Sequence, residues 1–276
     1  MSAQKLTKWL PSALKKFRTN RRQIDFAGHN VLGIEDLMQR EKPGKILIEP
    51  ILKKQYHQAV QILKEHYLSE HVLIRAHGLD VMQDNALDEY LYSLLKQGNT
   101  VCAKTYDGKP VGICVNIASG PADSKILRDY AHYRQDPHTK EFLTFIAKLQ
   151  ETLNLWDVFK VPKIFEIKML TVIPEYRRRG LATMLAESSN EMAETQGYDI
   201  VRMDCMNPHD FKIAERLLFH CMAKFPLKAL RARTRIGHGD HYTPVGYVRV
   251  YVGARTRDQP DAELKQKRRE LESLVE

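Results

Sequence analysis

The segment best suited to chemistry is a short basic loop that separates an apolar stretch from a helix-forming one. Arg177, Arg178 and Arg179 are followed there by Gly180. A helix N-terminus presents amide groups without intrahelical partners and the positive end of the helix dipole, and both attract a phosphate group. Gly180 has no Cβ to keep a phosphate away from the backbone, and the arginines add positive potential. This pattern predicts a phosphate- or pyrophosphate-binding loop, with an arginine-rich surface turn as the alternative.

Histidine and cysteine, the usual ligands of transition metals, do not form a convincing metal site. His238 and His241 lie in a glycine-rich stretch, Gly237–His241, which is more simply interpreted as a turn. The cysteines lack the spacing of metal ligands, and three of them lie in or beside apolar segments, where a thiol behaves as a small apolar group. We therefore predict no metal and a reduced, intracellular protein. The four cysteines are Cys102, Cys114, Cys205 and Cys221.

The elements around the basic loop can be predicted from hydrophobic periodicity. Ile164–Val172 is an apolar run typical of a strand, and Leu181–Gln196 has helical spacing and ends at Gly197. Asp199–Met203 is predicted to be the next strand and Phe211–Cys221 the next helix. The loop therefore lies between the end of a strand and the start of a helix, where its amides can reach a ligand.

The other elements complete a mixed sheet. Asp107-Gly108 between two apolar runs is a strong signal for a β-hairpin, and residues 123–160 are polar and helix-prone. The order of strand, two helices, hairpin, helical crossover, strand, helix, strand, helix and strand predicts an α/β fold with crossover helices. The remaining predicted strands are Ile46–Pro50, Thr100–Tyr106, Pro110–Ile117 and Gly246–Val252, and the first two helices span 54–68 and 86–97.

Charge and composition exclude several classes of protein. The 276 residues carry a net charge of +9, but seven bases precede the first acid, Asp25, which leaves the rest of the chain close to neutral. A nucleic-acid-binding protein would usually carry its bases on the folded domain. The longest apolar run, Val111–Ala118, is far too short to cross a membrane. We predict no nucleic acid partner and no transmembrane segment. The seven bases are Lys5, Lys8, Lys15, Lys16, Arg18, Arg21 and Arg22.

The basic N-terminal segment is predicted to lie outside the main domain. Residues 1–44 form an extension, 45–256 the folded domain and 257–276 a charged tail. Apolar residues from Leu6 to Phe17 recur at roughly helical spacing, which fits a mitochondrial targeting helix, a membrane-surface helix or a helix packed on the domain. The predicted compartment is the cytoplasm, with the mitochondrion as the alternative.

The basic loop and the strand before it resemble the cofactor element of the GNAT superfamily, whose members are acetyl-CoA-dependent N-acetyltransferases. Arg177-x-x-Gly180-x-Ala182 is similar to the superfamily's loop, Arg/Gln-x-x-Gly-x-Gly/Ala. Upstream, Leu170-Thr171-Val172 looks like the end of the superfamily's strand whose backbone pairs with the pantetheine arm. The two features occur in the superfamily's order.

The segment downstream of the loop completes the resemblance. Asn207 precedes a predicted helix ending Leu217-Leu218-Phe219, similar to the superfamily's Asn and helix ending Leu-Gly-Phe, with Leu218 in place of Gly. The resemblance implies the GNAT fold, with a central mixed, mostly antiparallel sheet of about seven strands and flanking helices. It also implies acetyl-CoA as the cosubstrate. The residues that it implies for acetyl-CoA binding are Leu170, Thr171, Val172, Arg177, Arg178, Arg179, Gly180, Leu181, Ala182, Thr183 and Asn207.

Over Ile46–Val252 the chain is most similar to the insect-type arylalkylamine N-acetyltransferases. Leu68–Leu73 looks like that group's Asp-Glu-Pro-Leu segment, with Ser69 and Val72 in place of Asp and Pro. The resemblance implies a small primary amine of the arylalkylamine type as substrate. It implies Glu70 as the general base.

Acetyl transfer to an amine requires a group that removes a proton. An alkylammonium of pKa near 10 is only about one-thousandth deprotonated at pH 7, so a base must accept its proton. Glu70 follows Tyr67 and Leu68, and desolvation by such neighbours would make its carboxylate a better proton acceptor. The alternative is that Glu70 is a solvated residue at a helix end.

A proton donor for the leaving thiolate is less evident. Some members of the superfamily use a tyrosine on the last helix, but Leu217–Phe219 supplies none. His209, Asp210 and His220 are nearby alternatives, although a helix cap or a surface position is the simpler interpretation of each. Asp210 and Met206 also stand where the insect-type group tends to have serines. A thiolate leaving group can manage without a donor.

Two other functions are consistent with the same residues. A GNAT-fold module that binds acyl-CoA without catalysis would keep the loop at Arg177–Ala182 but would have no need of Glu70. A protein N-acetyltransferase would need an open polar groove for a chain in place of a closed aromatic pocket.

Overall fold

The computed structural model describes residues 46–77, 80–227 and 246–255. Within these ranges the strands are β1 (Leu47–Pro50), β2 (Val101–Lys104), β3 (Pro110–Ser119), β4 (Ile164–Val172), β5 (Ile200–Cys205), β6 (His220–Pro226) and β7 (Tyr247–Ala254). The α-helices are α1 (Tyr56–Leu63), α2 (Val72–His77), α3 (Asn85–Leu95), α4 (Asp123–His132), α5 (Pro137–Leu153), α6 (Leu155–Phe159), α7 (Leu181–Thr195) and α8 (Pro208–Arg216). A π-helical turn, Lys64–Leu68, continues α1.

The strands form one sheet in the order β1-β2-β3-β4-β5-β7-β6. Strands β4 and β5 run parallel, and every other neighbouring pair is antiparallel. Helices α4, α5 and α6 connect β3 to β4, and α7 makes the crossover from β4 to the parallel β5. The prediction of a mixed, mostly antiparallel sheet of about seven strands with flanking helices is confirmed.

Strands β4 and β5 separate soon after they meet. They pair at only three positions, the last of which joins Ile167 to Met203. Beyond that point β4 stays paired with β3 as far as Val172, and β5 stays paired with β7 as far as Cys205. A bulge in β4 at Lys168, between the pairs made by Ile167 and Met169, begins the separation. In the described residues a gap therefore opens between two otherwise well-paired strands.

Apolar cores cover both faces of the sheet. Successive residues of β5 show the division, because Ile200 belongs to one core while Val201 and Met203 belong to the other. The first core takes its buried side chains from α1, α3 and α5, and the second from α7 and α8. The gap between β4 and β5 is thus flanked by α1 and α5 on one face and by α7 and α8 on the other.

The predicted helix Phe211–Cys221 is wrong in its second half. Helix α8 ends at Arg216, and His220 already begins β6, which pairs with β7. Leu218 has a φ of 60°, so the chain enters the left-handed region there and cannot continue the helix. Pairing with β7 therefore prevails over local helical periodicity.

Some of the predictions fall on other parts of the chain. The predicted extension 1–44, the tail 257–276 and the glycine-rich stretch Gly237–His241 lie outside the described residues. Among the described helices, none is long and apolar enough to cross a membrane.

Candidate active site

The basic loop leads from the end of β4 to an open helix terminus. Pro174–Tyr176 forms a single 3-10 turn, and Gly180 occupies the N-cap of α7 with a φ of 80°. A Cβ built on Gly180 would meet no atom within 4 Å. Among the described side chains, none caps α7, so the amides of its first turn keep their hydrogen-bonding capacity. The terminus therefore has the space and the donors that an anionic group requires.

The side chains that follow Gly180 fix this terminus on the domain. Leu181 is buried in the core shared with α8, while Ala182 and Thr183 are half-buried. The amides of these three residues are the first of α7, as the phosphate prediction requires. The loop is consequently held by a buried anchor on one side and is open to solvent on the other.

The arginines of the loop differ in their surroundings. Arg178 and Arg179 are exposed, and the Arg179 guanidinium lies 5.1 Å from the centre of the Tyr176 ring. Arg177 turns back towards β4, where its Nε donates to the carbonyl oxygen of Val172 at 2.7 Å. Its Nη2 donates to Oε1 of Glu70 at 2.7 Å. Two arginines are therefore free to face a ligand, while the third is held in the protein.

Glu70 lies beside the loop rather than in an apolar pocket. Its side chain is 52% exposed and forms an ion pair with Arg177. The expected desolvation by Tyr67 and Leu68 is absent, because Leu68 points into the core and the Glu70 carboxylate points outwards. The Glu70 carboxylate instead accepts a hydrogen bond from the Arg177 guanidinium. The sequence analysis named both residues but did not predict the contact between them.

The π-helical turn is fastened to β4. The Thr171 hydroxyl donates to the carbonyl oxygen of His66 at 3.0 Å, and the Tyr67 hydroxyl lies 3.5 Å from the carbonyl oxygen of Lys168. These contacts place Tyr67 at the bulge where the gap begins. Burial, followed by the charge of Asp210, raises the pKa of Tyr67 far above its ordinary value. The phenol is therefore neutral and able to donate a hydrogen bond.

Four charged side chains lie at the root of the gap, two from each strand. Glu166 on β4 stands opposite Arg202 on β5 in the strand register. Lys168 Nζ lies 3.0 Å from Oε2 of Glu166, and the Arg202 guanidinium makes a bidentate bond to Asp204 at 2.8 and 3.0 Å. Although burial opposes it, the neighbouring Lys168 and Arg202 cations lower the pKa of Glu166 to about 2. All four side chains are therefore charged and paired.

Sequence reasoning missed this set of charges, which a strand pattern could have revealed. Glu166 and Lys168 alternate with apolar residues along β4, and Arg202 and Asp204 do so along β5. Charges two residues apart on strands predicted to be central point to one face of the sheet. A small cavity opens beside them, lined by Tyr67, Ile146, Leu149, Glu166, Ile167, Lys168, Arg202, Asp204 and Met206.

Asn207 starts α8 on the β5 side of the gap. Its Oδ1 accepts from the backbone amides of His209 and Asp210 at 2.9 and 3.0 Å, and its Nδ2 donates to Oδ2 of Asp210 at 2.5 Å. The predicted Asn before a helix is therefore a helix cap, and its side-chain groups already have partners. Burial raises the pKa of Asp210 to about 7, although the Asn207 hydrogen bond acts to lower it.

The remaining predicted cofactor residues lie along the gap. Leu170 is half-buried against the second core, Thr171 is buried under the π-helical turn, and Val172 ends the strand. Their backbone lies on the stretch of β4 that has left β5. The structure thus places the predicted strand and the predicted loop next to each other, and Asn207 across the gap.

Comparison with known proteins agrees with this geometry. The model of the acetyltransferase (GNAT) family matches residues 61–215, more than half of the chain. The chain belongs to the GNAT acetyltransferase family. The matched range contains the basic loop, Glu70 and Asp210.

Solved structures of insect enzymes share the fold. A mosquito arylalkylamine N-acetyltransferase-like 5b protein is 18% identical with a TM-score of 0.68, covering 76% of this chain and 100% of that one. Arylalkylamine N-acetyltransferase 2 from Aedes aegypti is 22% identical with a TM-score of 0.68, covering 77% and 100%. A polyamine N-acetyltransferase from Drosophila melanogaster is 19% identical with a TM-score of 0.66, covering 76% and 100%. The resemblance to the insect-type enzymes is confirmed at the level of the fold.

Proposed function

We propose that this protein transfers the acetyl group of acetyl-CoA to a small primary amine of the arylalkylamine type, with Glu70 as the general base. The observation that supports it best is the gap between β4 and β5, which leads directly to the open N-terminus of α7. A strand edge without a partner can pair with an extended chain that carries amide groups, and a helix terminus without a cap can bind phosphates. Acetyl-CoA contains both an extended arm with amide groups and phosphates.

The residues for the cosubstrate follow from this arrangement. The backbone of Leu170, Thr171 and Val172 would pair with the pantetheine arm, and the amides of 181–183 would bind the pyrophosphate. Gly180 leaves the approach open because no Cβ stands there. Arg178 and Arg179 are exposed beside it and would add charge-assisted hydrogen bonds to phosphate oxygens.

The proton that the amine must lose would pass to Glu70. Its carboxylate is exposed enough to exchange protons with solvent, and Arg177 holds it next to the cofactor loop. Release from Arg177 would free the carboxylate to contact the amine. Attraction of Arg177 to the phosphates of the bound cosubstrate would provide that release.

The amine would enter from the face of the sheet that carries Tyr67. Ile146, Leu149 and Met206 give the cavity an apolar wall there, and Asp204 and Lys168 give it polar groups. The cavity is only about 20 Å³, so it would have to widen as an amine with an apolar body enters. Four further aromatic side chains of the first core are buried, namely Tyr90, Phe142, Phe145 and Trp156.

A panel of amines tests the proposal. Phenethylamine, tryptamine, agmatine, spermidine and a peptide with a free N-terminus would each be incubated with acetyl-CoA and the full-length protein, and thiol release measured. We expect the arylalkylamines to give the highest kcat/KM. Acetylation of the peptide alone would replace the proposal with a protein N-acetyltransferase, and acetyl-CoA binding without any transfer would replace it with a binding module.

We propose 45–256 as the acetyltransferase domain, with 1–44 and 257–276 as flanking segments and the cytoplasm as the compartment. A chain trimmed to 45–256 should keep the kcat/KM of the full-length protein. If trimming removed most of the activity, the acetyltransferase domain would have to include part of the flanking segments.

A further inference from the structure

The outer end of the sheet carries a cavity that the proposed function does not use. It has a volume of about 430 Å³ and lies where the end of α8 meets β6 and β7, with Phe219, Lys224 and Arg249 in its lining. In the strand order β4-β5-β7-β6, β5 separates these two strands from β4. The cavity is therefore separate from the gap between β4 and β5. Its volume is in the range of small-molecule sites, roughly 300–1,000 Å³.

Two cations of this cavity stand directly opposite each other. Lys224 on β6 pairs with Arg249 on β7 in the antiparallel register, so the two side chains leave the same face of the sheet with their Cβ atoms about 4.5–5.5 Å apart. Like charges in such a pair destabilise a sheet. Among the residues that the structure describes, no carboxylate forms an ion pair with either cation. An anion that bound between the two side chains would relieve their repulsion.

Aromatic rings hold both cations in place. The Lys224 ammonium lies 4.0 Å from the centre of the Tyr247 ring, and the Arg249 guanidinium lies 4.3 Å from the centre of the Phe211 ring. Such contacts offset part of the repulsion between the cations, but they supply no opposite charge. A guanidinium has five N–H donors and an ammonium has three. Both cations therefore keep donors for the oxygens of an anion.

The floor of the cavity is mainly apolar. Phe219, Ala223 and Tyr251 are buried, and all three belong to the lining. In the described part of the lining Glu215 is the one carboxylate, and its Oε1 accepts from the Tyr251 hydroxyl at 3.0 Å. The two cations outnumber this acid, and His220 adds a further positive charge when it is protonated. The cavity thus combines a net positive rim with an apolar floor.

We propose that this cavity binds a small phosphate monoester that carries an apolar or aromatic group. A phosphate monoester has a charge of about −1.5 to −2 at pH 7, which matches the two cations, whereas a carboxylate matches only one. Its oxygens accept charge-assisted hydrogen bonds from Lys224 and Arg249. Its organic group lies on Phe219 and on the Tyr251 ring, where it is removed from water.

Isothermal titration of the full-length protein with phenyl phosphate, benzoate and inorganic phosphate tests this proposal. Phenyl phosphate should bind most tightly, because benzoate lacks the second charge and inorganic phosphate lacks the apolar group. Lys224→Gln and Arg249→Gln should each raise the Kd of phenyl phosphate by about tenfold or more, since each removes a charge-assisted hydrogen bond. Glu215→Gln removes the negative charge beside the cations and should lower that Kd.

The basic loop before α7 is the competing phosphate site. Arg178→Gln and Arg179→Gln each remove one exposed charge from that loop, and they should leave the Kd of phenyl phosphate unchanged. If these variants weaken binding while Lys224→Gln does not, the phosphate binds at the loop and the proposal is wrong. Should Arg249→Gln fail to fold, Lys224→Gln provides the same comparison, because the Lys224 side chain is exposed.

Two further results would overturn the proposal. If inorganic phosphate and phenyl phosphate bound equally well, the apolar floor would not take part in recognition. If a phosphotyrosine peptide bound much more tightly than phenyl phosphate, the cavity would belong to an interface with a phosphorylated protein and not to a small molecule. No acetyl transfer is measured in these titrations, so their outcome does not depend on the proposed function.

Discussion

Nη2 of Arg177 lies 2.7 Å from Oε1 of Glu70, although 107 positions separate the two residues in the chain. The pair joins the turn that follows α1 to the loop that precedes α7, and Arg177 is also tied to the carbonyl oxygen of Val172. The proposed base and the proposed phosphate loop are therefore in direct contact. A ligand that attracts Arg177 must compete with Glu70 for it.

Glu70→Gln should tighten the binding of acetyl-CoA. An exposed ion pair is worth about 0.2–1 kcal/mol, so freeing Arg177 should lower the Kd by up to about fivefold. Isothermal titration at low and high salt would measure it. Glu175→Gln is the matched control, since Glu175 is an exposed acid of the same loop, and it should tighten binding less. Equal effects of the two variants would mean that only net charge matters.

The same substitution should impair the reaction. Gln has the shape of Glu but cannot accept a proton, so Glu70→Gln should lower kcat/KM by about 10²–10⁴. Glu65→Gln is the control, because Glu65 lies in the same segment and its Oε1 accepts from Gln61 at 2.9 Å. It should retain the wild-type rate. If Glu70→Gln were as fast as wild type, Glu70 would not be the base, and its role would be limited to the ion pair with Arg177.

Gly180→Val should abolish acetyl-CoA binding. The valine would stand at the open terminus of α7 and keep the phosphates from its amides. With a φ of 80° the site is also strained for any residue with a Cβ, which costs about 1–2 kcal/mol of stability. Gly197 is the matched control, since its φ is 77° and its Cβ would also meet no atom within 4 Å.

The comparison of the two glycine variants separates strain from binding. Gly180→Val and Gly197→Val should have similarly lowered melting temperatures without ligand. Acetyl-CoA should raise the melting temperature of Gly197→Val and of the wild type, but not that of Gly180→Val. An equal rise in all three proteins would place the phosphates elsewhere.

The parts of the site that lie close together in the chain could be predicted, and the long-range contacts could not. Ile164–Val172 is a strand as predicted, and α7 begins at Leu181 as predicted, because apolar periodicity and a glycine at the boundary are local signals. The Glu70–Arg177 pair and the pairing of β6 with β7 depend on residues far apart in the sequence. No local pattern contains that information, which is why the predicted helix extends into the first two residues of β6, His220 and Cys221.

Leu218→Gly should stabilise the protein. Leu218 has a φ of 60° and is 82% exposed, so its side chain gains little from packing while its backbone is strained. Relief of about 1–2 kcal/mol of strain exceeds the roughly 0.4–1 kcal/mol that glycine costs through the unfolded chain. The free energy of unfolding in urea should rise by about 0.5–1 kcal/mol. Leu218→Ala removes the same side chain but keeps the strain, and a similar gain in both variants would contradict the explanation.

Asp210 should make the protein less stable as the pH rises towards neutrality. Burial raises its pKa from 3.8 to about 7 in the folded protein, so folding favours the protonated form. That contribution is fully present below about pH 4, declines as the pH rises, and is lost above about pH 7. Asp210→Asn cannot ionise and should escape the decline.

The melting temperature of Asp210→Asn, relative to wild type, should therefore rise between pH 4 and 7 and remain constant above pH 7. Asp129→Asn, which changes an exposed aspartate of α4, should show no such trend. Because this measurement needs neither substrate nor turnover, it tests the protonation of Asp210 independently of the reaction. A difference in melting temperature that does not change with pH would mean that Asp210 is ionised throughout the range.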